Sequence, residues 1–199
     1  MTCQPRIPPG DRSQIGIVNH TIARVLGAAA GTGPPNIFTT LARHRPLFRR
    51  WLRFAGALMP GGQLPRADSE LVILRVAHNC GSEYEWRHHE RLGALAGLTA
   101  DQVALVGQGP GAPGWTTRQA LLLRAADELH APARSISDDL WTALSAELDE
   151  RELIELCMLI GHYEMLAMTL NALRVEPDAI PHKSPGGVLR TVQSLMQRR

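Results

Sequence analysis

The chain has 199 residues, of which 44% are hydrophobic and 20% charged, with a net charge of +2. That balance excludes a disordered or collagen-like chain, and its near-neutrality gives no footing for a nucleic-acid partner. Three cysteines, Cys3, Cys80 and Cys157, are too few and too scattered for a disulfide framework or a C-x-x-C zinc site.

The opening MTCQPRIPPGDR holds three prolines and is expected to be irregular over residues 1–12; it also lacks the apolar core of a secretory signal. Ser13 is expected to cap a helix through IGIVNHTIARVLGAAA, which the breaker GTGPPN at 31–36 ends. A short helix from Ile37 to Arg43 follows, then one from Pro46 to Leu58. Proline suits a first helical turn because the N–H it lacks would have no partner there. The arginine-rich stretch RHRPLFRRWLR at 43–53 is interleaved with Leu, Phe and Trp, the pattern of an amphipathic helix with a basic outer face. PGGQLP at 60–65 terminates it.

ADSELVILRVAHNC, residues 67–80, is almost wholly apolar after Glu70. A strand from LVILRV is one reading. The length of the run and the Asp68-Ser69-Glu70 start favour a buried helix. Gly81 interrupts it. Ser82 with Glu85 then reads as a capping box, opening a helix to Ala96 that Gly97 stops. Thr99 with Gln102 makes another box. The Gly/Pro-rich GQGPGAPGW at 107–115 is a linker, and a helix over 117–130 follows. Ser137 is expected to cap the next helix, and Asp149 with Glu152 to open a long apolar one ending at Leu173. Pro177, Pro181 and Pro185 break up the tail before a small amphipathic helix in GGVLRTVQSLMQRR.

No alternating strand pattern and no Asn-Gly or Asp-Gly hairpin turn occurs, so the fold class is all-α. The expected organisation is a single-domain helical bundle over 13–176, between the irregular residues 1–12 and a tail at 177–199. No apolar run is expected to span a bilayer, which with the missing signal points to a cytoplasmic protein without a membrane partner. A faint internal echo relates Glu70-Leu-Val-Ile-Leu to Glu152-Leu-Ile-Glu-Leu at an offset of 82, setting Glu164, Ala167 and Asn171 against Ser82, Glu85 and His89.

The chemistry concentrates in CGSEYEWRHHE, residues 80–90. Glu85 and His89 stand at i, i+4, where a carboxylate can orient and charge an imidazole and prepare it for proton transfer near neutral pH. Taken alone the pair is weak evidence, because Glu–His pairs at this spacing are common on helix surfaces. Glu70 adds a third titratable group, at a helix start where the dipole favours its charge. Tyr84 and Trp86 flank Glu85 and wall either a pocket or a core. Cys80 stands before the turn, without a resolving partner nearby. His78, His88 and His89 do not share one face, so no metal is expected.

ELVILRVAHNCGSEYEWRHHERLGALAGLT resembles the core motif of the carboxymuconolactone decarboxylase and alkylhydroperoxidase-D superfamily, most closely over 66–98 and more loosely over 152–173. The peroxidase branch pairs a Glu with cysteines at +12 and +15 and a His at +19. Counted from Glu70, those offsets fall on Ser82, Glu85 and His89. Both cysteines are therefore missing. The decarboxylase branch carries Glu, then Glu-x-x-x-His at the same offsets, and Glu70, Glu85 and His89 match it residue by residue.

The resemblance implies an all-helical homo-oligomer (dimer, trimer or hexamer). It further implies a cofactor-free lyase acting on a small carboxylated lactone or related acid. Glu70, Glu85 and His89 would be catalytic, and Ser82, Tyr84 and Trp86 would contact substrate. Two alternatives stand beside it. One is a peroxide-metabolising oxidoreductase, weakened by the absent cysteine pair. The other is a non-catalytic helical oligomer that retains the frame.

Overall fold

A helix that is apolar on every side must be surrounded, and ELVILRVA behaves this way. In the computed structural model, which describes residues 4–29 and 32–179, α5 (Arg66–Asn79) is buried from Ser69 through Leu74 and again at Val76 and Ala77. Its neighbours are α6 (Glu83–Leu95), α7 (Ala100–Val106) and α8 (Thr117–His130). The remaining elements are α1 (Arg12–Ile15), α2 (Ile17–Ala29), α3 (Asn36–Leu41), α4 (Arg45–Leu58), α9 (Asp138–Glu147) and α10 (Glu150–Leu173), and no strand occurs among the described residues. The chain is all-α, as its pattern implies.

The described residues group into two compact units, one taking the chain up to Pro60 and from Leu170 onward, the other Gly61–Thr169. In the first, Ile15, Ala42 and Phe48 form a core with Phe38 and Trp51 packed on it. The expected single helix from Ser13 is two pieces. Asp11, rather than Ser13, caps α1, its carboxylate accepting from the N–H groups of Ser13 and Gln14 at 2.8 and 3.0 Å. Gly16 at φ +82° then ends α1, a backbone state that costs glycine nothing. In α4, Phe48 is buried while Arg49, Arg50 and Arg53 remain outward, the amphipathic arrangement read from the sequence.

In the second unit the three-residue connection at Cys80–Ser82, with Gly81 at φ +58°, turns the chain back so that α6 packs along α5. Leu71, Leu74, Leu98, Val103, Val106 and Leu123 form the core between α5, α7 and α8. Polar ties fix the helices' register. Arg75 holds both oxygens of Asp127 at 2.6 and 2.9 Å and the Val106 carbonyl at 2.8 Å. Arg118 bridges Asp68 and Glu152 at 2.8 and 2.9 Å. A bidentate guanidinium fixes direction as well as distance.

The capping boxes at Thr99/Gln102 and Asp149/Glu152 form as expected, and a further one joins Thr116 and Gln119. Two expected caps do not form. Ser82 is the N-cap of α6, but its side chain makes no cap bond, because Glu85 faces the interior instead of reaching back. Ser137 spends its N–H and hydroxyl on Glu128 at 2.7 and 3.1 Å.

Helix α10 corrects a further expectation. It is long and apolar enough, by length and composition, to cross a membrane, yet 56% of its most apolar window is buried inside the protein. Leu156, Leu159, Ile160, Ala167 and Leu170 are the buried stripe. It also runs unbroken where α5 gives way to its turn, so the internal echo ends at the first helical stretch. The expected helix in 186–199 lies outside the described residues.

Candidate active site

Facing α5 and α6 bring together residues that are 19 apart in sequence. His89 Nδ1 stands 2.7 Å from Glu70 Oε2, both buried. A carboxylate only accepts, so Nδ1 carries the proton, and Nε2 is left to exchange one with a bound molecule. Arg66 completes the row, its guanidinium 2.7 Å from the other Glu70 oxygen, one helical turn earlier on α5. The carboxylate that orients His89 is therefore Glu70. The i, i+4 neighbour Glu85, expected in that role, occupies a different environment.

Glu85 is only 2% exposed, and neither of its oxygens has a donor in hydrogen-bond geometry. Burial pushes its carboxyl up to about 8; the nearby Ser82 hydroxyl opposes the shift and the charge of Glu164 adds to it. At neutral pH Glu85 is a neutral acid beside the hydrogen-bonded Glu70–His89 pair. Two carboxyl groups held in such different environments within one site are a recurring arrangement in acid–base catalysis.

Helix α10 closes the site with residues that the sequence reading missed. The Tyr163 ring meets His89 edge to face at 5.1 Å, and burial together with the charges of Glu70 and Glu85 drives its hydroxyl pKa upward. His162 packs on Tyr163 at 5.2 Å, and burial and then the charge of His89 lower it to about 4. The signal for both was present, since His162-Tyr163-Glu164 interrupts an otherwise apolar helix. Arg66, at i−4 from Glu70, was equally visible.

The expected substrate contacts separate. Ser82 is buried next to Glu85 and belongs to the site. Tyr84 is buried and stacks on His88 at 6.2 Å, while burial, then the charges of His89, Arg91 and Arg66, takes His88 down to about 3. Trp86 packs against the core of α5, α7 and α8 and on His78. It is a packing residue, because its position on α6 turns it away from Glu85. Cys80 is partly buried; burial and then Glu164 push its thiol up to about 12, so it is not a thiolate at neutral pH.

Residues 45–128 match the carboxymuconolactone decarboxylase family, a stretch that contains Glu70, Glu85 and His89. No curated protein matches the sequence. Solved structures are similar over nearly the whole chain. An uncharacterized peroxidase-related protein from Silicibacter sp. TM1040 is 14% identical with TM-score 0.78, covering 90% of this chain and 96% of that one. The debrominase Bmp8 is 13% identical with TM-score 0.75, covering 96% and 97%. An alkylhydroperoxidase AhpD core, an uncharacterized peroxidase-related protein from Ralstonia eutropha JMP134, is 17% identical with TM-score 0.72, covering 87% and 92%. At such identities the likeness is one of fold. Residues 45–128 thus carry the pattern of the carboxymuconolactone decarboxylase family, and the chain shares the fold of these alkylhydroperoxidase-D-like structures.

Proposed function

We propose that the protein is an acid–base lyase that removes carbon dioxide from a small carboxylated lactone or related acid, without a cofactor. The observation that carries this reading is the buried Glu70–His89 pair at 2.7 Å beside a neutral Glu85. As the C–C bond to the carboxylate breaks, its electron pair passes into the conjugated lactone. A protonated donor must then stabilise the dienolate and deliver one proton to carbon. Glu85 holds that proton at neutral pH. Glu70 fixes the ring of His89 so that Nε2 faces the reacting molecule, and the Tyr163 hydroxyl, which stays protonated, is a donor for the developing oxyanion. Arg66 supplies positive charge for an anionic substrate.

The peroxide-metabolising alternative needs a thiolate and a resolving thiol. Positions 82 and 85 hold Ser and Glu, and the Cys80 thiol is kept protonated, so the acid–base reading is preferred. An ultraviolet assay of carboxymuconolactone tests it. Wild-type turnover is expected; a fully folded protein that leaves this and related carboxylated lactones untouched would overturn the reading.

The oligomer belongs to the same proposal. On α10, Ile154, Met158, Met165 and Met168 are 67%, 47%, 45% and 60% exposed, spaced by four, seven and three residues. That is a heptad seam of apolar side chains on the face opposite the buried stripe. A second copy of the chain is its occupant. Met158→Glu with Met165→Glu is expected to lower the mass measured by light scattering to that of a smaller species, and an unchanged mass would place the subunit contact elsewhere.

A further inference from the structure

The reaction above leaves a second polar cluster unused. It is assembled from the ends or middle of three helices. Cys80 is the C-cap of α5, His130 is the last residue of α8, and Glu164 lies within α10. Glu164 Oε1 is 2.6 Å from His130 Nδ1, and Cys80 Sγ is 3.9 Å from the same nitrogen. One ligand atom from each residue falls within 4.8 Å of the other two. Arg134 donates to the remaining Glu164 oxygen at 3.1 Å. The His130 side chain is 37% exposed and that of Glu164 10%, so the cluster has one edge open to solvent and a buried floor.

A thiol, an imidazole and a carboxylate can act as a nucleophilic triad or as a ligand set, and the geometry separates the two. In a triad the carboxylate holds one ring nitrogen and the nucleophile uses the other, so the ring orients and relays a proton. Here sulfur and carboxylate oxygen both converge on Nδ1. Such a ring cannot relay. Convergence of S, N and O donors on one point suits a cation that replaces the proton they share.

The spacing is close to what such an ion demands. A tetrahedral zinc with Zn–S of about 2.3 Å and Zn–N or Zn–O of about 2.0–2.1 Å separates its ligand atoms by roughly 3.3–3.6 Å. The S···N distance must shorten by a few tenths of an ångström and the N···O distance must open by somewhat more.

We propose that Cys80 Sγ, His130 Nδ1 and Glu164 Oε1 form a binding site for a divalent cation of the zinc class. Thiolate, imidazole and carboxylate together select a borderline-soft ion over magnesium or calcium. Three protein ligands leave a fourth position for water. On loading, the ion takes the place of the thiol proton and of the proton shared by His130 and Glu164, and Arg134 keeps the second Glu164 oxygen oriented. The ligands are 50 and 34 residues apart in sequence, so no spacing motif announces them.

Cobalt(II) titration of the metal-stripped full chain reads the site without reference to turnover. Expected are one cobalt per chain, a near-ultraviolet thiolate-to-cobalt charge-transfer band, visible bands of a tetrahedral ion, and loss of all of them on adding zinc. Cys80→Ser and His130→Ala, checked for native helicity by circular dichroism, are expected to abolish the charge-transfer band, and Cys157→Ser to keep it. A wild-type protein with no such band overturns the proposal, as does a band that survives either Cys80→Ser or His130→Ala. Should Cys80→Ser fail to fold, the wild-type titration and His130→Ala decide.

Discussion

Replacing His89 by alanine is expected to reduce turnover of the carboxylated lactone by about 10²–10⁴-fold, the usual worth of a positioned acid–base group. The protein should remain folded. Glu70 keeps Arg66 at 2.7 Å when the imidazole is removed, so the buried carboxylate is not stranded without charge compensation. His89→Gln keeps a side chain able to donate to Glu70 but cannot exchange a proton, and is expected to be as inactive as His89→Ala. Glu70→Gln separates positioning from chemistry. It weakens the charge-assisted hydrogen bond that sets the tautomer of His89, and the pH profile of the residual activity should shift with it. Full activity in His89→Gln would remove His89 from the mechanism.

How far this site could be read from sequence depended on which helix face was in question. Glu70 and His89 were singled out together by the family resemblance, at the motif's +19 offset, while spacing alone only permitted their contact. Which carboxylate contacts the ring was not. Glu85 is the i, i+4 neighbour of His89, and local spacing gave it the bond that Glu70 makes across the hairpin. The same tertiary pull undid the Ser82/Glu85 capping box, since a side chain that the fold buries cannot also reach back to its own N-terminus. Trp86 flanks Glu85 in sequence, a place that left pocket and core both open; neighbours on a helix diverge, and it packs into the core. Residues brought in from α10, Tyr163 and His162, come from a helix whose apolar character marked it only as core. Helix existence, by contrast, followed from local signals. The Thr99/Gln102 box and the 117–130 helix stand where the sequence put them, because capping chemistry and periodicity act over a few residues.

Glu85 gives the second large effect, on stability as well as on rate. Its carboxyl ionises ordinarily at 4.5 and in the folded protein at about 8, with burial the main cause. Between those values the folded state holds a proton that the unfolded chain has released. Stability must therefore fall as pH rises through this window, with no contribution from Glu85 below it and no further loss above it. At about 1.4 kcal/mol per pKa unit the full effect is of the order of several kcal/mol. Glu85→Gln removes the titration while keeping the shape. The variant is expected to lose much of the decline in melting temperature between about pH 5 and about pH 8 that the wild type shows, and to be the more stable protein at the alkaline end. It should also be inactive, since an amide cannot deliver the proton that the dienolate needs. Wild-type turnover should in turn decline as pH passes about 8, where Glu85 ionises and ceases to be an acid. Equal melting slopes in the two proteins would mean that Glu85 is ionised in the fold. The proton would then have to come from His89, with Tyr163 or solvent behind it, and the site would run with two charged carboxylates in place of one.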